Sequence, residues 1–156
     1  MKTLIVYASM HGCTEQVVEK LKADLTGEVK IQNLKDKTPI FVNAFDTILI
    51  GGSIHAGMIQ GSVKKFCKKQ MDTLLQKQVG LFLCCMDQDR AQEQFDNAFP
   101  EALRLHAKVQ GLFGGAFDFD KMNFIQKAII KKISGVEDSV NNLNETAIHK
   151  FIEALK

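Results

Sequence analysis

The sequence predicts an α/β fold: a doubly wound, five-stranded parallel sheet of order 2-1-3-4-5, with helices on both faces. Three observations predict it. Apolar runs that read as strands alternate with helically spaced apolar residues from one end of the 156-residue chain to the other. The run Val79-Gly80-Leu81-Phe82-Leu83-Cys84-Cys85-Met86 is almost continuously apolar, as a central strand covered on both faces must be. The first strand-like run passes into its helix through a short polar turn that contains a glycine.

The elements follow in order. Leu4-Ile5-Val6-Tyr7-Ala8 is rich in strand formers and gives the first strand. Val17, Val18, Leu21 and Leu25 recur at helical spacing among charged residues, and Gly27 stops that helix. Val29-Lys30-Ile31-Gln32-Asn33-Leu34 alternates like an edge strand; residues 36–43, with Pro39, read as loop. Asp46-Thr47-Ile48-Leu49-Ile50 reads as a buried strand ending at Gly51-Gly52, followed by a loop over residues 53–61. Val63, Phe66, Cys67 and Met71 mark the next helix. After the central strand at 79–86, residues 88–107 read as helix with an interruption near Pro100. Residues 109–117 read as a fifth strand, weakened by Gly111, Gly114 and Gly115. Residues 123–133 read as a helix, and residues 141–155 as a terminal helix with Leu143, Ile148, Phe151, Ile152 and Leu155 on one side.

Composition sets the bounds. A chain that is 46% hydrophobic and 24% charged is expected to fold as one domain over residues 1–156, and disorder is excluded. Twenty basic against eighteen acidic residues give a net charge of +2, too balanced for a nucleic-acid binder. No apolar run reaches the ~18–20 residues of a membrane-spanning helix, and the first run is too short for a signal-peptide core, so a cytoplasmic protein is expected. Cys13, Cys67, Cys84 and Cys85 form no CxxC pair and no Cys/His zinc pattern. They read as reduced core thiols, with Cys84 and Cys85 on opposite sides of a strand, and no metal is expected.

In doubly wound sheets a ligand sits beyond the carboxyl ends of the strands. Here that edge is built from residues 9–14, 53–58 and 85–89. Ser9-Met10-His11-Gly12-Cys13-Thr14 opens the first helix, where unpaired N–H groups and the helix dipole favour an anion. Ser9 and Thr14 add hydroxyls, and Gly12 permits close backbone approach. Without Lys or Arg, the loop would hold a phosphate through backbone N–H and hydroxyl donors. It matches neither G-x-x-x-x-G-K-[ST] nor G-x-G-x-x-G. A helix start with no ligand is the alternative reading of this loop.

The first strand, the loop at residues 9–14 and the helix that follows resemble the flavodoxin family, whose FMN phosphate loop flanks a glycine with hydroxyl residues and ends in Thr. The fold is then flavodoxin-like, with an inserted basic amphipathic helix around residues 122–134. Within the family the chain is most similar to the menaquinone-dependent protoporphyrinogen dehydrogenases. Gly51-Gly52-Ser53-Ile54-His55-Ala56-Gly57 resembles that branch's second loop. Phe113-Gly114-Gly115-Ala116-Phe117, the helix after it and Ser134-Gly135-Val136-Glu137-Asp138 resemble its last strand, insertion and Ser-Gly-x-x-Asp turn.

The resemblance implies FMN as cofactor. Ser9, Met10, His11, Gly12, Cys13 and Thr14 would hold its phosphate. Ser53, Ile54, His55, Ala56 and Gly57 would line one side of the flavin ring; Cys85, Met86, Asp87 and Asp89 would lie near the other. Gly57 is the candidate for a peptide that turns toward flavin N5, His55 for a catalytic group that orients substrate or relays a proton, and Asp87 for a charge that lowers the reduction potential. The chain departs from the family in having no Trp and a single Tyr, Tyr7, so Ile54, His55, Met58 and Met86 stand where stacking aromatics are common. It also lacks the acidity of electron-carrier flavodoxins. The expected function is an FMN-dependent oxidoreductase of the protoporphyrinogen-dehydrogenase type, passing electrons to a quinone or other small-molecule acceptor. An electron carrier without its own substrate and a flavin-free scaffold are the alternatives. The basic helix at residues 124–133 suits peripheral contact with a membrane, a homodimer contact or docking on the core.

Overall fold

Leu4 and Val6 point to one side of their strand, Ile5 and Tyr7 to the other, and all four are buried. A strand with that pattern must lie inside a sheet that is covered twice. A computed structural model places it so; it describes residues 1–10, 12–117, 124–134 and 140–156. The main sheet contains β1 (Lys2–Tyr7), β2 (Glu28–Asn33), β3 (Thr47–His55), β5 (Gln78–Cys84) and β6 (Val109–Leu112), in the order β2-β1-β3-β5-β6 and all parallel. This is the expected 2-1-3-4-5 order, with a two-residue strand β4 (Met58–Ile59) added antiparallel to β3.

Each face carries its own helices. On one side Val17, Val18 and Leu21 of α1 (Cys13–Asp24) and Ile148, Phe151, Ile152 and Leu155 of α6 (Glu145–Leu155) pack on Ile5, Leu49 and Phe82. On the other, α2 (Gly61–Leu74), α3 (Ala91–Ala98) and α4 (Glu101–His106) cover Leu4, Ile48, Ile50, Leu81 and Leu83. Cys84 belongs to the first core and Cys85 to the second, and all four cysteines are free and buried.

Four sequence expectations need correction. β3 does not end at Gly51-Gly52 but runs to His55, so residues 53–61 are not a loop; the chain turns at Ala56-Gly57 and pairs back through β4. Residues 109–117 are not one strand. β6 ends at Leu112, and β7 (Gly114–Phe117) leaves the parallel sheet to pair antiparallel with β8 (Val140–Leu143). Gly114, at φ 74, makes the bend; a Cβ there would lie 2.2 Å from the Asn142 carbonyl oxygen. The terminal helix starts at Glu145 rather than 141, because residues 140–143 pair with β7 and the Asn144 side chain caps the helix by accepting from the Ala147 N–H at 2.9 Å. The interruption expected near Pro100 parts residues 88–107 into two helices at Phe99-Pro100, but the first starts at Ala91 rather than 88. The helix expected at 123–133 is α5 (Phe124–Ser134); Asn123 and residues 135–138 of the Ser-Gly-x-x-Asp stretch lie outside the described residues. Among the described residues no helix is long and apolar enough to cross a membrane.

A trio of phenylalanines fixes the α1/α6 side. Phe82 stacks on Phe113 at 5.6 Å and meets Phe151 edge-on at 6.1 Å, and Phe113 meets Phe151 edge-on at 5.2 Å. Gly51 makes room for the trio: a Cβ there would fall 2.0 Å from the Phe82 ring. In urea unfolding, Gly51→Ala should therefore cost about 1–3 kcal/mol and Phe82→Ala about 3–5 kcal/mol. The double variant Gly51→Ala/Phe82→Leu should lose less than the sum of the two changes made separately. Strict additivity would show that Gly51 does not serve Phe82.

Candidate functional site

Because β1, β3 and β5 are parallel, the segments that follow them meet at one edge of the sheet. After β1, the Ser9 Oγ accepts from the Gly12 N–H at 3.1 Å and shapes the turn. Gly12, at φ 85, is the N-cap of α1 and has no side chain to cap it. The N–H groups of Cys13, Thr14 and Glu15 find no acceptor among the described residues. Beneath them the Thr14 hydroxyl is buried without a hydrogen-bond partner of good geometry, although the Cys84 thiol lies beside it. Met10 is exposed, and His11 lies outside the described residues.

After β3 the chain forms a two-residue hairpin. Ala56 (φ 51) and Gly57 (φ 78) both take positive φ, as a type I′ turn requires. Pairing of Ile54 with Ile59 and of His55 with Met58 brings Gln60 opposite Ser53. The Gln60 side chain then clamps Ser53 twice. Its Oε1 accepts from the Ser53 N–H at 3.0 Å, and its Nε2 donates to the Ser53 Oγ at 2.8 Å. Gly52 leaves the space for it, since a Cβ there would lie 2.7 Å from Gln60 Oε1. Ser53 and His55 share one face of the strand, and their Oγ and Nε2 stand 2.9 Å apart. Gln60 takes one lone pair of the hydroxyl, which can give its proton to an unprotonated His55 Nε2 or accept through its second lone pair from a protonated one.

After β5, the Cys85 N–H donates to the Gly114 carbonyl at 2.7 Å, and its thiol donates to Gln94 Oε1. Gln88 Nε2 donates to the Cys85 carbonyl at 2.8 Å, and Asp87 Oδ1 accepts from the Arg90 N–H at 3.3 Å. The Asp87 carboxylate is thus turned toward its own loop, and Asp87 and Asp89 are exposed. Met86 packs over Gly115, where a Cβ would fall 2.3 Å from its Sδ.

These segments line a small cleft of about 20 Å³. Of the residues expected from sequence, Cys13, Ser53, Ile54, His55, Cys85 and Met86 line it. Met10, Gly12, Thr14, Ala56, Gly57, Asp87 and Asp89 are not part of that lining. Cys84, Gly115 and Ala116 line it without having been expected to, and Gln60 supports it from behind. None of these lining residues is Phe, Tyr or Trp. Gln60 could have been found only through the hairpin register, which follows once Ala56-Gly57 is read as a two-residue turn.

The thiols differ in acidity. Donation from the Cys84 thiol, opposed by burial and helped by the Ala116 N–H, holds the Cys13 thiol below its usual range. Cys84, as the donor and as a buried group, is raised well above its own. Burial also raises Cys85, and it pushes Cys67 up to about 12.

The flavodoxin domain family model matches residues 4–142. No curated protein sequence matches the chain. Among solved structures, the flavodoxin of Streptococcus pneumoniae TIGR4 is 14% identical, with a TM-score of 0.57 over 99% of this chain and 94% of that one. Flavodoxin 1 of Bacillus cereus is 16% identical, with a TM-score of 0.54 over 98% and 93%. Rubredoxin oxygen:oxidoreductase of Desulfovibrio gigas is 14% identical with a TM-score of 0.54, and this chain spans only 37% of its length. At these identities the likeness is one of fold.

Two outcomes follow from the geometry. Gln60→Ala should lower stability by about 1–2 kcal/mol in urea unfolding, because it strands the Ser53 N–H; no loss would mean that the clamp holds nothing. Iodoacetamide at about pH 8 should label Cys13 first and leave Cys67 untouched, read by peptide mass mapping. Prior labelling of Cys67 would contradict the assigned acidities.

Proposed function

The chain belongs to the flavodoxin domain family, and on that premise we propose that it binds FMN at the cleft and transfers electrons through it. The observation that carries this reading is the start of α1, where the N–H groups of Cys13, Thr14 and Glu15 have no acceptor among the described residues and the buried Thr14 hydroxyl has only the Cys84 thiol beside it. A phosphate monoester satisfies all of them, and the helix dipole favours its charge. Among the structural neighbours, a Lactobacillus acidophilus flavoprotein (17% identical, TM-score 0.50) and a Fusobacterium nucleatum flavodoxin variant (14% identical, TM-score 0.52) are complexes with FMN.

Ser9, Gly12, Cys13 and Thr14 would hold the phosphate, with His11 in the same loop. The hairpin from Ser53 to Gly57 would lie along one side of the ring, and Cys85, Met86, Asp87 and Asp89 near the other. Bound FMN supplies reversible one- and two-electron chemistry at its ring. Around it, Ser53 and Gln60 fix the orientation of His55, which can hold or release a proton at Nε2. Gly57, at φ 78, carries no Cβ to hinder reorientation of its peptide. The carboxylates of Asp87 and Asp89 would disfavour added negative charge on the ring.

The finer reading is an oxidoreductase with its own substrate, of the protoporphyrinogen-dehydrogenase type, with a quinone acceptor. Two features support it. Among the described residues no Phe, Tyr or Trp lines the cleft, which would leave a ring face open for a planar substrate, and His55 is oriented beside it. The segment between β7 and β8 carries α5, whose Phe124 is 85% and Ile125 68% exposed, next to exposed Lys131 and Lys132. That combination suits contact with a membrane that holds the quinone.

The purified protein with added FMN should show a protein-bound flavin spectrum; a colourless protein that stays so would leave only a flavin-free scaffold. Thr14→Val should weaken FMN binding roughly tenfold while leaving the apoprotein as stable or more so, because the lost hydroxyl has only the Cys84 thiol beside it there. Equal affinity in the two proteins would remove Thr14 from the site. The holoprotein should oxidise protoporphyrinogen with a menaquinone analogue as acceptor; no turnover would leave electron transfer without the substrate.

A further inference from the structure

α2 carries Lys64, Lys65, Lys68 and Lys69. At 100° per residue they span an arc of about 140°, roughly opposite the buried Val63, Phe66, Cys67 and Leu74. None of the four makes an ion pair or hydrogen bond to a described residue. Among the described residues no ion pair neutralises the positive charge of this helix face, and Asp72 is the single acid on the helix.

The face adjoins the β3–β4 hairpin, whose other residues Ser53, Ile54 and His55 line the cleft. A hollow lined by Gly57, Met58 and Lys64 joins the tip of the β3–β4 hairpin to α2, and Met58 stands 61% exposed there. On the same flank α2 borders a groove of about 600 Å³, shared with α3 and α4, which Lys64 and Lys68 help to line. Met71, Phe99 and Pro100 give that groove an apolar lining. Of its two acids, Asp96 is already held by Arg104 at 3.4 Å and Glu101 is exposed.

We propose that this face of α2, together with the hairpin tip, docks an acidic electron-transfer protein, one whose carboxylates surround its own redox centre. The proposal rests on the FMN reading of the cleft and names the partner for it. Unpaired lysines attract such a surface and orient it, while exposed Met58 at the hairpin tip supplies an apolar contact. A lipid surface fits this face less well. The exposed residues of α2 are Gly61, Ser62, Lys65, Lys68, Lys69 and Asp72, with no large apolar side chain to enter a bilayer, and the neighbouring groove is concave.

The probe is a plant-type [2Fe–2S] ferredoxin, which is acidic, with basic cytochrome c as the counter-probe. FMN loading is read first from the visible spectrum, so a failure of the cofactor reading is seen separately. Binding is then mapped by amide shifts of the ¹⁵N-labelled protein, which need no electron transfer. At low salt, ferredoxin should perturb residues 57–72, and its electron exchange with the holoprotein should slow as salt rises, while that of cytochrome c quickens. Lys64→Glu/Lys65→Glu/Lys68→Glu/Lys69→Glu should keep the flavin spectrum, slow exchange with ferredoxin by about tenfold or more and reverse the salt dependence. The corresponding Lys→Gln variant should give a smaller loss in the same direction. The proposal is overturned by shifts centred elsewhere or by an unchanged rate in both variants. It is also overturned if the variants lose binding only to phosphatidylglycerol vesicles and not to ferredoxin, which would make the face a membrane contact.

Discussion

The start of α1 poses a problem that the protein does not solve by itself. A helix needs acceptors for its first N–H groups, and this one opens on a glycine with no side chain to offer. The parallel sheet makes the problem unavoidable, since α1 must begin at the edge where β1 ends, beside the ends of β3 and β5. The burial of the Thr14 hydroxyl sharpens it, because the Cys84 thiol beside it is a weak acceptor and a buried hydroxyl needs a better one. An anion bound there answers all of these demands. The surrounding features read as accommodation of what that anion carries: a hairpin clamped by Gln60, a loop tied to Gly114, and a cleft between them.

Strand order was legible because both-face burial leaves its mark on composition. Leu4 to Tyr7 and Val79 to Cys84 must be apolar on each side, and only a covered parallel sheet asks for that. What was not legible depends on contacts distant in sequence. Gly51 and Gly52 look like a strand's end. They are interior positions emptied for the Phe82 ring and the Gln60 side chain, and neither reason can be seen from the glycines. Residues 140–143 carry one face of apolar spacing that runs on into α6, so they read as helix. Pairing with β7 outweighs that local pattern and pushes the helix start to Glu145.

The candidate site was legible where chemistry and backbone coincide. Ser9, Gly12 and Thr14 are informative as residue types, because the turn needs a hydroxyl, a positive φ and a small donor. Cys84 was read as a core thiol, and it is buried; the proximity of Cys13, which splits the acidities of the pair, comes only from folding. Asp87 shows the converse. As a loop carboxylate it suggested a charge near the ring, and what the residue type does not tell is its fold-made partner, the Arg90 N–H that Oδ1 accepts from.

The account stands on the phosphate at α1, and comparing FMN with riboflavin isolates that contribution, since the two ligands share the ring and the ribityl chain. Dissociation constants from titration of the apoprotein should differ by at least about 100-fold in favour of FMN, equivalent to roughly 2.7 kcal/mol from the phosphate contacts. Equal affinities would contradict the account, because the helix start would then be holding nothing.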